Sequence, residues 1–148
     1  MPPSAAWPEI AGFNGVKNIA DTGLLAAALN RSDRWHEWGA IQLRTGAPFY
    51  TCDAVLAELS FVINDPIAGL KLVARGDLIL DFDLSENLDR VLELLDKYQD
   101  RQMELAEACL VRMSELTDAC KIWTVDKEDF RVYRRHGRAP IPCEFPTV

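Results

Sequence analysis

Residues 17–29, KNIADTGLLAAAL, decide how this chain folds. Val16 to Asp21 reads as a short buried strand closed by the acid, and TGLLAAALN follows as a helix with Thr22 placed to cap its exposed N–H groups. Working outward, SDRWHEWGAIQLRTG carries Trp35, Trp38 and Leu43 at helical spacing, which predicts an amphipathic helix starting at Ser32 and Asp33 and ending at Gly46. PFYTCDAVLAELSFVI gives a brief strand and then a helix capped near Thr51 or Asp53, and DPIAGLKLVARG continues as a short helix ending at Gly76. LILDFD is an apolar, alternating strand. SENLDRVLELLDKYQD then puts Leu88, Val91, Leu92 and Leu95 on one stripe behind a Ser85 cap. RQMELAEACLVRMSEL is the next helix, CKIWTVD the next strand, and DFRVYRR and PIPCEFP supply edge strands. Strands alternating with helices predict an α/β domain with a mainly parallel central sheet.

Four acids stand in apolar surroundings: Asp21 closes KNIAD, Glu58 lies in VLAELSFVI, Glu107 in MELAEACLV, and Asp126 closes IWTVD. An ionised carboxylate in an apolar wall is costly unless something cationic meets it, so four in one small chain point to a shared metal ion and metal-assisted hydrolysis. Ligand sites of parallel sheets lie beyond the carboxyl ends of the strands, where Asp21 and Asp126 both fall. In helix 101–117, Arg101, Glu104, Arg112 and Glu115 cluster in one sector, the expected solvent face. Glu107 sits at its boundary, turned partly inward, and Glu104, three residues earlier, reaches the same side or faces water.

Composition bounds the rest. The 148 residues suit one domain, read as an irregular arm over 1–15 that packs through Trp7 and a single domain over 16–148. No apolar run spans a bilayer, and the opening lacks the basic start and apolar core of a signal peptide, so a cytoplasmic protein with no membrane partner is expected. The four cysteines form no CxxC pair and read as reduced core residues. A net charge of −7 argues against a broad electrostatic surface for nucleic acid. Yet residues 121–138 hold six of the sixteen Lys and Arg, a basic rim beside the last acid or a solvated surface segment.

Together these blocks resemble the PIN-domain family of metal-dependent nucleases, in particular toxin ribonucleases of the VapC type. NIADTGLLAAAL looks like the opening strand and helix with the first aspartate at Asp21, and DAVLAEL like the helix bearing the family's glutamate, here Glu58. YQDRQMELAEACLVRMSE looks like the third block, with Glu107 and Ala108, and TVDKEDF like the final one at Asp126. The resemblance implies a three-layer α/β/α domain, Mg²⁺ or Mn²⁺ in the pocket, an RNA substrate and a homodimer, with an antitoxin protein as partner where the chain is the toxin of a pair. On this reading Asp21, Glu58, Glu107 and Asp126 carry catalysis and the metal, with Glu104 and Asp129 as further candidate ligands. Thr22 and Thr124 hydrogen-bond the cluster, and Arg131, Arg134 and Arg135 take backbone phosphates. One departure stands out: the family's third acid is usually aspartate, and Glu107 adds a methylene.

Other chemistries fit less well. LDFDLS superficially resembles a phosphatase nucleophile motif at Asp81, but too little chain follows it to complete such a sheet. His36 and His136 lack a metal-ligand partner at useful spacing. A PIN-like interaction module that uses its acidic pocket little, binding a subunit or peptide through apolar helix faces, is the alternative from a different class.

Overall fold

The computed structural model describes residues 15–147. The arm predicted over 1–15, Trp7 included, lies outside the described residues except for Gly15. The elements run β1 (Lys17–Ala20), α1 (Thr22–Leu29), α2 (His36–Gly46), β2 (Phe49–Thr51), α3 (Asp53–Val62), α4 (Ala68–Arg75), β3 (Leu78–Leu80), α5 (Leu88–Lys97), α6 (Leu105–Leu116), β4 (Cys120–Trp123), α7 (Lys127–Phe130), β5 (Arg134–Arg135), β6 (Ala139–Pro140) and β7 (Cys143–Glu144). Short 3₁₀ turns cover Ser85–Asn87 and Gln99–Arg101.

Five strands form one parallel sheet in the order β3-β2-β1-β4-β7, flanked by helices, and β5 and β6 make a separate antiparallel pair. The chain steps from β1 outward through β2 to β3, then returns to the other side of β1 for β4. That reversal puts the topological switch point between β1 and β4, where the crossovers diverge and leave a crevice at the strand ends. Register completes the placement. Ala20 pairs with Trp123, so Asp21 and Thr124, each one residue further on, emerge side by side.

The strands are buried because their residues are apolar on both faces: Ile19, Ala20, Phe49, Leu78 and Ile122 are almost wholly enclosed. Leu24, Leu25, Leu59, Leu94, Leu110 and Met113 close the core from the helices. Cys52, Cys109 and Cys120 are buried and reduced, and Cys143 is half-buried. Among the described residues no helix is long and apolar enough to cross a membrane.

Several local expectations are corrected. Asp21, not Thr22, is the cap of α1, its carboxylate accepting from the Thr22 N–H at 2.7 Å. Helix α2 begins at His36, because Asp33 accepts from the Trp35 N–H and closes a turn ahead of it. Neither Thr51 nor Asp53 caps α3; Cys52 is the boundary residue, and the Thr51 hydroxyl donates instead to the Ala20 carbonyl across the sheet. Ser85 starts a 3₁₀ turn rather than the helix itself, and Asp83 accepts from the Glu86 N–H within it. On α5 the buried pair is Val91 and Leu94, while Leu88 and Leu92 stand 49% and 55% exposed. The helix is rotated so that Arg90 faces α6. There Glu115, expected in solvent, has a side chain only 1% exposed, held by Arg90, Arg112 and the His136 N–H.

Helices α1 and α2 pack closely, and Gly39 is the reason they can. A Cβ at Gly39 would lie 2.8 Å from Ala27 Cβ and from the Ala28 backbone nitrogen, and backbone cannot yield. Gly39→Ala is therefore expected to lower stability by about 1–3 kcal/mol, measured by urea denaturation.

Candidate active site

Asp21, Thr22, Glu58, Glu104, Glu107, Asp126 and Asp129 line one cleft of about 680 Å³ at the carboxyl end of the sheet. Asp33, Arg101, Gln102 and Val62 complete much of its wall. Asp21 sits deepest. Its two oxygens take hydrogen bonds from the Thr22 N–H at 2.7 Å and from the Thr124 hydroxyl at 2.5 Å. Thr124 in turn accepts from the Asp126 N–H at 2.9 Å, so one threonine links the acids that end β1 and β4. Asp126 caps the short α7 by accepting from the Asp129 N–H at 3.0 Å, which turns both carboxylates toward the cleft. Glu107, Asp126 and Asp129 each bring a carboxylate oxygen within 4.8 Å of the others.

Glu107 enters from the first turn of α6. One of its oxygens accepts from the Glu104 N–H at 2.9 Å, and the other from the Tyr133 hydroxyl at 3.1 Å. Reaching back to the cap residue's N–H from three positions on is the capping-box contact, which favours Glu over the shorter Asp. The extra methylene at this position thus has a local structural reason. Lone pairs remain on both oxygens, since each can accept more than one bond.

The electrostatics follow from burial. Loss of water pushes the Asp21 carboxyl up to about 6 against its hydrogen bonds to Thr124 and Thr22, with Glu58 and Asp126 adding repulsion. Burial likewise pushes Glu107 up to about 7, with Asp129 and Asp21 contributing. Asp126 is raised for the same first cause, with repulsion from Asp129 and Glu128. Arg101 is the sole cation among the described lining residues, set against seven acids. Thr22 leaves its buried hydroxyl oxygen without a partner among the described residues at the wall of this cleft.

A buried carboxyl whose folded value exceeds its ordinary one favours the fold while protonated. The penalty grows as pH rises from the ordinary 3.8 through about 6. Above that range it amounts to about 3 kcal/mol at 1.36 kcal/mol per unit. Asp21→Asn keeps an acceptor for the Thr22 N–H, and the Thr124 hydroxyl can turn to accept from the new amide. In chelator at pH 7.5 this substitution should raise the melting temperature by about 6–12 °C. At pH 4 the difference should disappear, and differential scanning calorimetry at both values checks the sign.

The three arginines proposed for phosphate are not among the residues that line this cleft. Arg135 is buried, and its guanidinium donates to the Thr117 and Asp118 carbonyls at the end of α6. Arg134 donates to the carbonyls of Arg131, Val132 and Tyr133, and Arg131 lies over the Phe145 ring. Arginines that satisfy helix-end carbonyls do structural work, as cations at a helix C-terminus commonly do. Sequence reasoning missed Asp33, Arg101 and Tyr133. Asp33 was read only as a helix start and Arg101 only as a solvent-facing residue, while Tyr133 lies in a VYRR run after the last acid. The chain matches no family model and none of the curated proteins with which it was compared.

Proposed function

We propose that this chain is a PIN-like, divalent-metal-dependent ribonuclease with a three-layer α/β/α arrangement. The observation that carries the proposal is the convergence of Glu107, Asp126 and Asp129 beside the buried Asp21, at the switch point of a parallel sheet. The donor set fits Mg²⁺ or Mn²⁺: hard oxygens, more than three negative groups with one cation among the described lining residues, and a buried hydroxyl of Thr22 without a partner among the described residues. Such an ion, when bound, offsets charge on the scissile phosphate and lowers the pKa of a water. Asp21, Glu107, Asp126 and Asp129 would hold it, with Glu104 at the rim. Thr124 and the Thr22 N–H orient Asp21, and Tyr133 orients Glu107. Glu58, from α3, aligns a water and takes its proton as the water oxygen bonds to phosphorus and the phosphorus–oxygen bond to the leaving group breaks, the leaving oxygen taking a proton from solvent.

The substrate is single-stranded RNA, and the chain is the toxin of a pair whose antitoxin is a second protein. Phe61, Val62, Ile67 and Leu70, all more than half exposed at the junction of α3 and α4, support a protein partner, either a second copy or that antitoxin. The same patch favours the second reading, an interaction module with little catalysis. A cleavage assay separates the two. Wild-type protein with Mn²⁺ should cut fluorescent single-stranded RNA, chelator should stop it, and Asp21→Asn should abolish it. Intact RNA with wild type in both Mg²⁺ and Mn²⁺ would leave the interaction module standing. Light scattering on wild type and Phe61→Asp tests the patch, with a dimer expected to become a monomer in the variant.

A further inference from the structure

The acid-lined cleft carries its own cation. Arg101 reaches in from the 3₁₀ turn and donates from Nη2 to Asp129 Oδ1 at 2.9 Å. The backbone aims it there: the Arg101 and Met103 N–H groups both donate to the Tyr98 carbonyl. Between them Gln102 takes a left-handed conformation at φ +57°, one that non-glycine residues adopt seldom. Asp129 is also one of the three carboxylates that converge in the cleft. One acid therefore serves two claimants.

Two of the arginine–carboxylate contacts among the described residues differ in kind. Arg90 grips Glu115 with both Nε and Nη2, and the Glu115 side chain is 1% exposed. Arg101 uses one nitrogen, and its side chain and that of Asp129 are 34% and 30% exposed. The first is a planar fork built for permanence. The second is a single hydrogen bond at a water-reachable rim, from which a long flexible side chain can leave.

We infer that Arg101 is the resident counter-cation of the cleft and competes with a divalent ion for Asp129. This rests on the metal reading above. In the ion-free protein the guanidinium offsets part of the carboxylate repulsion. When an ion takes Asp129, Arg101 is displaced from that oxygen. Arg101 is then a positioning residue for Asp129 whose removal strengthens metal binding, the opposite of what a residue that simply braces the site would do.

Isothermal titration of the full chain with Mn²⁺ alone tests this, using wild type, Arg101→Gln, Asp129→Asn, the double variant and Asp126→Asn, each first shown to be folded by circular dichroism. Arg101→Gln is expected to tighten Mn²⁺ binding about tenfold, or 1.4 kcal/mol. In the Asp129→Asn background the same change should alter affinity by no more than about twofold, because the shared oxygen is gone. Mn²⁺ binding by Arg101→Gln but not by wild type would be the strongest form of the expected result. An affinity equal to or weaker than wild type in Arg101→Gln overturns the inference. With wild type binding and Asp126→Asn not, that failure leaves the metal site intact. Absence of binding in both wild type and Arg101→Gln overturns the inference and the metal reading together.

Discussion

Asp126→Asn is expected to lower the rate of RNA cleavage by on the order of 10³-fold, about 4 kcal/mol of transition-state stabilisation, while leaving the fold in place. The asparagine oxygen can still accept from the Asp129 N–H, so the cap of α7 survives. The Asp126 N–H still donates to Thr124. What goes is one negative charge from a cluster whose oxygens lie within 4.8 Å of each other. Metal binding should weaken with it. A ligand that binds only the native state stabilises by RT ln(1 + [L]/Kd), about 2.7 kcal/mol at one hundred times Kd. The rise in melting temperature that Mn²⁺ gives wild type should therefore shrink or vanish in the variant. Cleavage unchanged by the substitution would mean that the activity belongs to another protein in the preparation or to another site.

The second large effect is structural and lies far from the cleft. Glu115→Ala should cost about 3–5 kcal/mol, because it strands a partly buried Arg90 and leaves the His136 N–H and Arg112 without their acceptor. Replacing both members with apolar side chains, as in Arg90→Met with Glu115→Leu, should cost less than Glu115→Ala alone, since the Arg90 charge is then no longer left unpaired and Arg112 keeps its bond to Asn87. Urea denaturation of the three proteins measures the difference. The pH dependence has a definite sign. Burial pushes the Glu115 carboxyl up, but Arg90, the His136 N–H and Arg112 outweigh it and hold the group below its ordinary value. Its contribution is therefore complete above the unfolded carboxyl's range and is lost as pH falls through the folded value. The cleft acids act in the opposite sense. In chelator, stability should pass through a maximum at mildly acidic pH, and Mn²⁺ should carry that maximum upward.

Much of the fold was legible before any coordinates. Runs such as KNIAD and CKIWTVD are short, largely apolar and closed by an acid, and the helices between them leave little choice but a parallel sheet. The same runs placed Asp21 and Asp126 at strand ends, and both line the cleft with Glu58 and Glu107. Helix faces were harder to read. On α5 the expected stripe of Leu88, Val91, Leu92 and Leu95 held at Val91, which is buried, and at Leu95, which packs against the core, but Leu94 is buried where Leu88 and Leu92 are exposed, with Arg90 turned toward Glu115 on α6. A wheel of one helix cannot show that, since the deciding partner is 25 residues away.

Local chemistry set the elements and the acids: apolar period, cap preference and the strand-then-acid pattern act over a few residues, so the one-dimensional order already contains them. Only the threaded chain decided which groups meet. The β1–β4 register put Thr124 on Asp21, the turn through Gln102 put Arg101 on Asp129, and the β5–β6 pair carried Arg135 to the end of α6. Contacts between segments far apart in sequence depend on how every intervening element packs, and no short stretch encodes that sum.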